Sequence, residues 1–293
     1  MGRLVPFPDP SLRTPGAERQ LATNHRPKGP TLQLDDIEDD AAEPTAFDHF
    51  FAEGLITNVV RIIKTGKEAS VHLCRANRST TGEDLLALKV YHPLDRRDFR
   101  DESIYRDGEW IKERRIRAAL EKKTRFGRIV QGGLWVSREW ETLKALSTAG
   151  APVPRPVVST EDAILMSYIG DLDDAAPQLR SVRPDRTEAQ DLFDQVIRAV
   201  ERLLYGNVIH GDLSAYNVLV WEGRAVVIDL PQAVDPRKNR HAPALLERDV
   251  RRICDHFTRF GVVSSPERIA ADLWTAWEFA DLVPEELRVE LEL

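Results

Sequence analysis

Cysteine is scarce in this 293-residue chain: there are two, Cys74 and Cys254, far apart and without metal-ligand spacing. That argues against a disulfide framework and makes a reducing compartment the expectation. Long apolar runs are missing as well, and the first residues lack the apolar core of a secretory leader. A cytoplasmic protein with no membrane partner is therefore expected. A basic excess is also absent, since 41 Lys and Arg against 48 Asp and Glu leave a net charge of −7. General affinity for nucleic acid is not expected, although local basic patches can still form. There is no internal repeat. What remains, 42% hydrophobic and 30% charged residues, is the composition of a globular chain. At this length it can bury one large core or two lobes around a cleft.

Residues 1–45 are rich in Pro, Asp, Arg and Thr and include the acid block Asp35-Asp36-Ile37-Glu38-Asp39-Asp40. Such a segment buries too little surface to offset its ordering entropy and is expected to be a flexible tail. Order begins near Phe47, where Phe47, Phe50, Phe51 and Leu55 suit the stripe of a short helix that Gly54 ends. Val59–Ile63 and Ala69–Cys74 read as hairpin partners around Thr65-Gly66-Lys67-Glu68, and Leu85–Tyr91 as a third strand containing Lys89. The charge-dense stretch Arg96–Arg128 carries the stripe of a partly amphipathic helix. A clearer helix is expected over Trp135–Ala149, stopped by Gly150, and a buried strand over Ala163–Tyr168. The helix over Thr187–Leu204 has Thr187 as its expected cap and Leu192, Val196, Val200 and Leu203 as its stripe. Two more helices, about 243–260 and 266–282, follow.

The chemistry concentrates in His210-Gly211-Asp212-Leu213-Ser214-Ala215-Tyr216-Asn217, followed by apolar runs at Val218–Val220 and Ala225–Ile228 and then by Asp229. As local structure this is a polar turn between a helix and a hairpin, and Asp, Ser and Asn are ordinary turn residues. Its spacing is also that of a phosphotransferase loop, with Asp212 to orient a hydroxyl and Asn217 and Asp229 to offer Mg²⁺ the oxygen ligands it prefers. A strand-rich first half, a Pro-interrupted link and a helical second half form the layout of a protein kinase. In that layout Lys89, within Leu86-Ala87-Leu88-Lys89-Val90-Tyr91, reaches nucleotide phosphates if a helix carboxylate holds it. Glu139 is the first choice for that carboxylate and Glu141 the second. The first hairpin lacks G-x-G-x-x-G, Asp229 is followed by Leu-Pro-Gln rather than Phe-Gly, and no Ala-Pro-Glu comes after it. A usual activation segment has no room.

Those departures form a pattern of their own. Thr65–Val71 (T-G-K-E-A-S-V), His210–Asn217 (H-G-D-L-S-A-Y-N), Ile228–Gln232 (I-D-L-P-Q) and the hinge-like Met166-Ser167-Tyr168-Ile169-Gly170 resemble the RIO family of atypical protein kinases. The resemblance runs from about Leu55 to Phe260, and Gly54-Leu55-Ile56 looks more like its type-1 branch. It implies an α+β, bilobal kinase-like fold: N-lobe over 46–165 with a flexible charged insertion at 96–128, hinge and helical C-lobe over 166–293. It implies ATP and Mg²⁺ (or Mn²⁺) as cofactors and transfer to Ser or Thr of a protein acceptor, autophosphorylation included. Lys89 would bind phosphates and Glu139 would pair with it, while Asp212 would be the catalytic Asp and Asn217 and Asp229 the metal ligands. Gly66, Lys67 and Ser70 would meet the triphosphate, and the backbone of Ser167 and Ile169 the adenine edge. His210 is expected to brace the loop by hydrogen bonding.

Three other functions remain open at this level. The family has been linked to an aspartyl-phosphate at the Asp229 position, which makes an ATP-hydrolysing assembly switch an alternative. Aminoglycoside- and choline-type kinases also use His-Gly-Asp, although they carry a large helical insertion for which there is little sequence after Asn217. A non-catalytic module binding RNA or the ribosome through the basic residues of Arg96–Arg128 is the third.

Overall fold

The structure, a computed structural model, describes residues 45–92 and 125–282. The flexible tail expected over 1–45, apart from Thr45, and residues 96–124 of the charged insertion expected over 96–128 lie outside the described residues, while 125–128 form the start of a helix expected only from Trp135. Helix α1 (Ala46–Ala52) opens this region and ends at Gly54, whose φ of +61° suits a residue without Cβ. Phe50 is fully buried, whereas Phe51, expected on the same stripe, is exposed. Strands β1 (Ile56–Thr65), β2 (Ala69–Ala76) and β3 (Leu85–Tyr91) follow, with the short helix α2 (Arg78–Thr81) before β3. Helix α3 (Arg125–Thr148) precedes β4 (Pro156–Ser159) and β5 (Ala163–Ser167). The five strands form an antiparallel sheet in the order β1-β2-β3-β5-β4. Strand β4 was not anticipated from the Pro-rich sequence. It lies at the sheet edge with Pro156 as its first residue, a place where a missing N–H breaks no ladder bond.

Alternation along β3 decides what each face of the sheet does. Leu86 and Leu88 join Phe50, Ile56, Cys74 and Leu165 in a closed cluster under α1. Their neighbours Ala87, Lys89 and Tyr91 point the other way, because successive strand side chains take opposite faces. Helix α3 packs against β4 and β5, with Leu143 and Leu146 buried. Tyr91, Ile164, Leu143 and Leu146 on that side belong to the larger core, which continues into the helical half.

That half is built on α4 (Arg186–Tyr205), the hairpin β6 (Val218–Trp221) and β7 (Arg224–Val227), α5 (Ala242–Thr258) and α6 (Pro266–Leu282). Helix α4 buries Leu192, Phe193, Val196, Val200 and Leu203 along one stripe. Each such side chain is worth about 2 kcal/mol of transfer free energy, so a charge at Val196 would open the core at its centre. The cap is Asp185 rather than Thr187: its carboxylate accepts from the N–H groups of Thr187 and Glu188, and Glu188 returns a bond to the Asp185 N–H. Sequence reading placed the start two residues late because Thr187 is also a capping type. Among the described residues no helix is long and apolar enough to cross a membrane.

Candidate active site

Lys89 is the centre of the site. Its Nζ donates to Glu139 Oε1 and Oε2 at 2.8 and 3.0 Å and to Asp229 Oδ1 at 2.9 Å. Three elements remote in sequence therefore meet at one ammonium, β3 from the sheet, α3, and the turn after β7. Lys89 is only 8% exposed and Glu139 only 4%, while the Asp229 side chain is 40% exposed. The buried pair anchors the ammonium and the open carboxylate faces outward. Burial would push the Lys89 pKa down, but Asp229 and Glu139 together hold it well above the ordinary lysine value. The ammonium beside Asp229 holds that carboxyl below its usual range against the opposing effect of burial. Glu141, the second choice for the partner, pairs instead with Lys144 on the surface of α3.

Tyr91 adds a contact that the sequence reading did not assign. Its hydroxyl donates to Glu139 Oε2, and the Lys89 Nζ lies 5.1 Å from its ring centroid. Burial and the adjacent Glu139 keep the phenol protonated far above its ordinary pKa. The signal was legible in principle, since Tyr91 is two residues from Lys89 on one strand and shares its face.

The loop from His210 to Asn217 is held from below by α5. Asp249, 1% exposed, accepts from the Gly211 N–H at 2.7 Å and the Leu213 N–H at 3.1 Å. Arg248 donates to the Gly211 carbonyl from the same turn of helix. Gly211 has φ +78°, so a side chain there would strain the loop. Burial raises the Asp249 carboxyl to about 6 despite the counter-effect of His210 and the two backbone donors. His210 Nε2 lies 3.1 Å from the Ile228 carbonyl, and its Nδ1 accepts from the Asp212 N–H at 3.3 Å. The ring thus ties the loop to the residue before Asp229, as expected for a bracing histidine. Asp229 itself stands at φ +71°, a left-handed conformation that most residues avoid.

Asn217 Nδ2 donates to the Asp212 carbonyl at 2.9 Å, which leaves its Oδ1 as an oxygen donor beside the loop. Ile228 N–H donates to the Asn217 carbonyl at 3.0 Å, so Asn217 and the Asp229 turn are locked together. Among the described residues no three His, Cys, Asp or Glu gather into a protein-only metal cage. Two hard oxygen donors from Asn217 and Asp229 suit Mg²⁺, which takes few protein ligands and completes its shell with water and phosphate oxygens.

Not every expected site residue joins this cluster. The Asp212 carboxylate is 42% exposed and pairs with Arg252 Nη1 at 2.7 Å. Gly66 N–H closes the β1–β2 turn on the Ala69 carbonyl at 2.9 Å, Lys67 is exposed, and Ser70 Oγ bonds His72 Nε2 at 2.8 Å. Ser167 N–H donates to the Arg155 carbonyl at 2.8 Å, and the Ile169 carbonyl accepts from Ala176 at 3.0 Å. Gly170 follows with φ +137°; a Cβ there would stand 2.5 Å from the Asp174 carbonyl oxygen. Asp249, Arg248 and Arg252 were not singled out in the sequence. Their one signal is the spacing 248, 249, 252 on a single helix face.

The RIO domain family matches residues 71–269. Among curated proteins, the RIO-type serine/threonine-protein kinase Rio1 of Thermoplasma acidophilum is 36% identical over 136 residues, 46% of this chain and 70% of that protein. Rio1 of Haloferax volcanii is 33% identical over 200 residues, 68% of this chain and 63% of its own length. Human serine/threonine-protein kinase RIO1 is 31% identical over 210 residues, 71% of this chain but 35% of the human protein. The fold is that of the Rio2 kinase from Chaetomium thermophilum, solved as an ADP/Mg²⁺-phosphoaspartate complex. The TM-score is 0.58 at 24% identity, covering 78% of this chain and 64% of that one.

Proposed function

Since the chain belongs to the RIO family of atypical serine/threonine protein kinases, we propose that its cleft transfers the γ-phosphoryl group of ATP to a Ser or Thr hydroxyl of a protein acceptor. The observation that carries this reading is the convergence of Glu139 and Asp229, 50 and 140 residues from Lys89, on one ammonium. Such an ammonium neutralises phosphate oxygens without moving, because its anchor is buried. Asn217 and Asp229 would hold Mg²⁺, which supplies charge cancellation on the transferring phosphoryl group. Asp212 orients the acceptor hydroxyl and takes its proton as transfer completes. Its pair with Arg252 is half exposed, and an exposed pair is worth about 1 kcal/mol or less, so acceptor binding can displace it. Adenine contacts fall to the Ser167 carbonyl and the Ile169 N–H, whose companion groups are already bonded within the protein. A cytoplasmic setting suits the two buried free thiols, Cys74 and Cys254.

The small-molecule kinase reading is not favoured. Between Asn217 and α5 there are only a hairpin and a loop, with no helical insertion among those residues. The test is incubation with γ-labelled ATP, Mg²⁺ and a mixed protein acceptor. Label is expected in acid-stable esters and to vanish in Asp212→Ala and Asp229→Ala while both variants still unfold cooperatively. Wild-type turnover in both variants, or label confined to a hydroxylamine-sensitive acyl phosphate, would remove the protein-kinase reading.

A further inference from the structure

Beyond the nucleotide cluster a cavity of about 890 Å³ opens beside Asp212. Its wall takes Arg180 and Arg183 from the segment before α4, Arg252 from α5 and Arg259 from its C-terminal cap, and Asp212 and Tyr216 from the loop. The volume is that of a ligand site rather than a surface dimple. Four guanidinium groups face two carboxylates there, Asp212 and Asp255, and Asp212 is already claimed by Arg252.

The arginines are held, which distinguishes a built site from a loose basic surface. The Arg180 guanidinium stacks 4.4 Å from the Tyr216 ring centroid, and the backbone N–H of Arg180 donates to the Ala215 carbonyl at 3.0 Å. Arg183 Nη1 donates to the carbonyls of Arg180 and Val182 at 2.9 and 3.0 Å. Arg259 donates through Nε to the His256 carbonyl at 3.2 Å and through Nη2 to His256 Nδ1 at 2.6 Å. His256 is 6% exposed; burial, with Arg259 and Arg183 nearby, lowers its pKa to about 4 and keeps it a neutral acceptor for Arg259. None of Arg180, Arg183 and Arg259 has a carboxylate partner among the described residues, so their remaining donors point to a ligand that brings acceptors. Planar guanidinium forks match carboxylate and phosphate oxygens.

We propose that this cavity is the acceptor subsite and selects Ser or Thr residues flanked by anionic side chains, either carboxylates or a phosphorylated residue. This rests on the phosphoryl-transfer reading above, because the hydroxyl presented to Asp212 places its chain neighbours along the arginine wall. Neighbouring residues of an extended peptide rise by about 3.3 Å each, so residues one to three places from the acceptor reach the wall.

The test uses the full chain and three peptides sharing one acceptor Ser, with Glu, phosphoserine or Gln at the flanking positions. Turnover per unit concentration is expected to be roughly tenfold higher for at least one anionic peptide than for the Gln peptide, and to lose that advantage as salt rises. In the triple variant Arg180→Glu, Arg183→Glu, Arg259→Glu the ratio should fall towards one, with nucleotide affinity retained as the check on folding. If the triple variant loses nucleotide affinity, Arg180→Gln and Arg259→Gln singly carry the test. Comparing the Glu and phosphoserine peptides separates an acidic from a phosphorylated acceptor. A wild-type ratio of one, an unchanged ratio in the variants, or displacement of the anionic peptide by a uridine oligonucleotide that binds more tightly would overturn the proposal. Should no peptide be phosphorylated, fluorescence anisotropy with the same peptides still decides. Preference for the anionic ones keeps the subsite and removes the transfer reading, while equal binding removes the subsite.

Discussion

Replacing Lys89 by Met removes one charge from a triad in which the other two charges have unequal surroundings. Glu139 is 4% exposed and is left with Tyr91 as its donor, while the Asp229 side chain, at 40%, relaxes into water. Breaking a buried pair from one side costs 3–5 kcal/mol, and the surviving tyrosine bond puts this case at the lower end, about 3 kcal/mol. Glu139→Gln is milder. Lys89 keeps Asp229 at 2.9 Å, so the loss is about 1–2 kcal/mol, the scale of one hydrogen bond to a charged group. The double variant buries neither charge and should lie within about 1 kcal/mol of wild type, so the two sites couple by at least about 3 kcal/mol. Urea unfolding followed by fluorescence of the six tryptophans reads all four proteins. Losses in the double variant that simply add, to within about 0.5 kcal/mol, would refute the buried triad. All variants lacking Lys89 should lose phosphoryl transfer whatever their stability.

Two further outcomes follow from single residues. The Asp249 carboxyl, raised to about 6, is charged at neutral pH, where it accepts from the Gly211 and Leu213 N–H groups. Phosphate transfer should therefore fall through a one-proton step as pH drops past about 6. Stability runs the other way. A folded pKa above the 3.8 of an exposed aspartate means Asp249's stabilising contribution is full below about 3.8 and lost as pH rises through about 6. That amounts to a neutral-pH cost of about 3 kcal/mol, which Asp249→Asn should remove from the pH dependence of unfolding; an unaltered dependence would contradict the burial argument. Gly170→Ala sets a Cβ 2.5 Å from the Asp174 carbonyl oxygen and 2.8 Å from the Tyr168 hydroxyl at a φ of +137°. A destabilisation of about 1–3 kcal/mol is expected, together with weaker nucleotide binding by titration calorimetry, since Ile169 next to it is tied to Ala176. Unchanged melting and affinity would show that the turn has room to shift.

Local patterns carried most of what was readable in advance. A short apolar run with Pro93 beyond its end put Lys89 on a strand with the bounds Leu85–Tyr91, and the helix stripe of Leu192, Val196, Val200 and Leu203 is buried as expected. The pairing of Lys89 with Glu139 was readable because both lie in elements whose type was clear. The supports from α5 were not, because an Asp, two Arg and a His at helical spacing look like any solvated face. Only the packing of α5 under the loop turns Asp249 inward and Arg252 towards Asp212. Strand β4 escaped notice for a related reason: four residues beginning with proline have no strand signature until a neighbour, β5, offers them a ladder.

Asp229 sits in a backbone conformation where glycine would rest more comfortably, two residues past the end of β7, and its carboxylate is anchored there by the Lys89 ammonium. Glycine there would relieve the backbone but strip the buried ammonium of one of its two carboxylates, so the two effects on melting oppose each other. Turn geometry and charge pairing are therefore bound to each other at this one position. Directed evolution of this scaffold for heat tolerance should therefore leave position 229 alone while Lys89 is present and turn it to glycine only in lineages that have already lost that lysine.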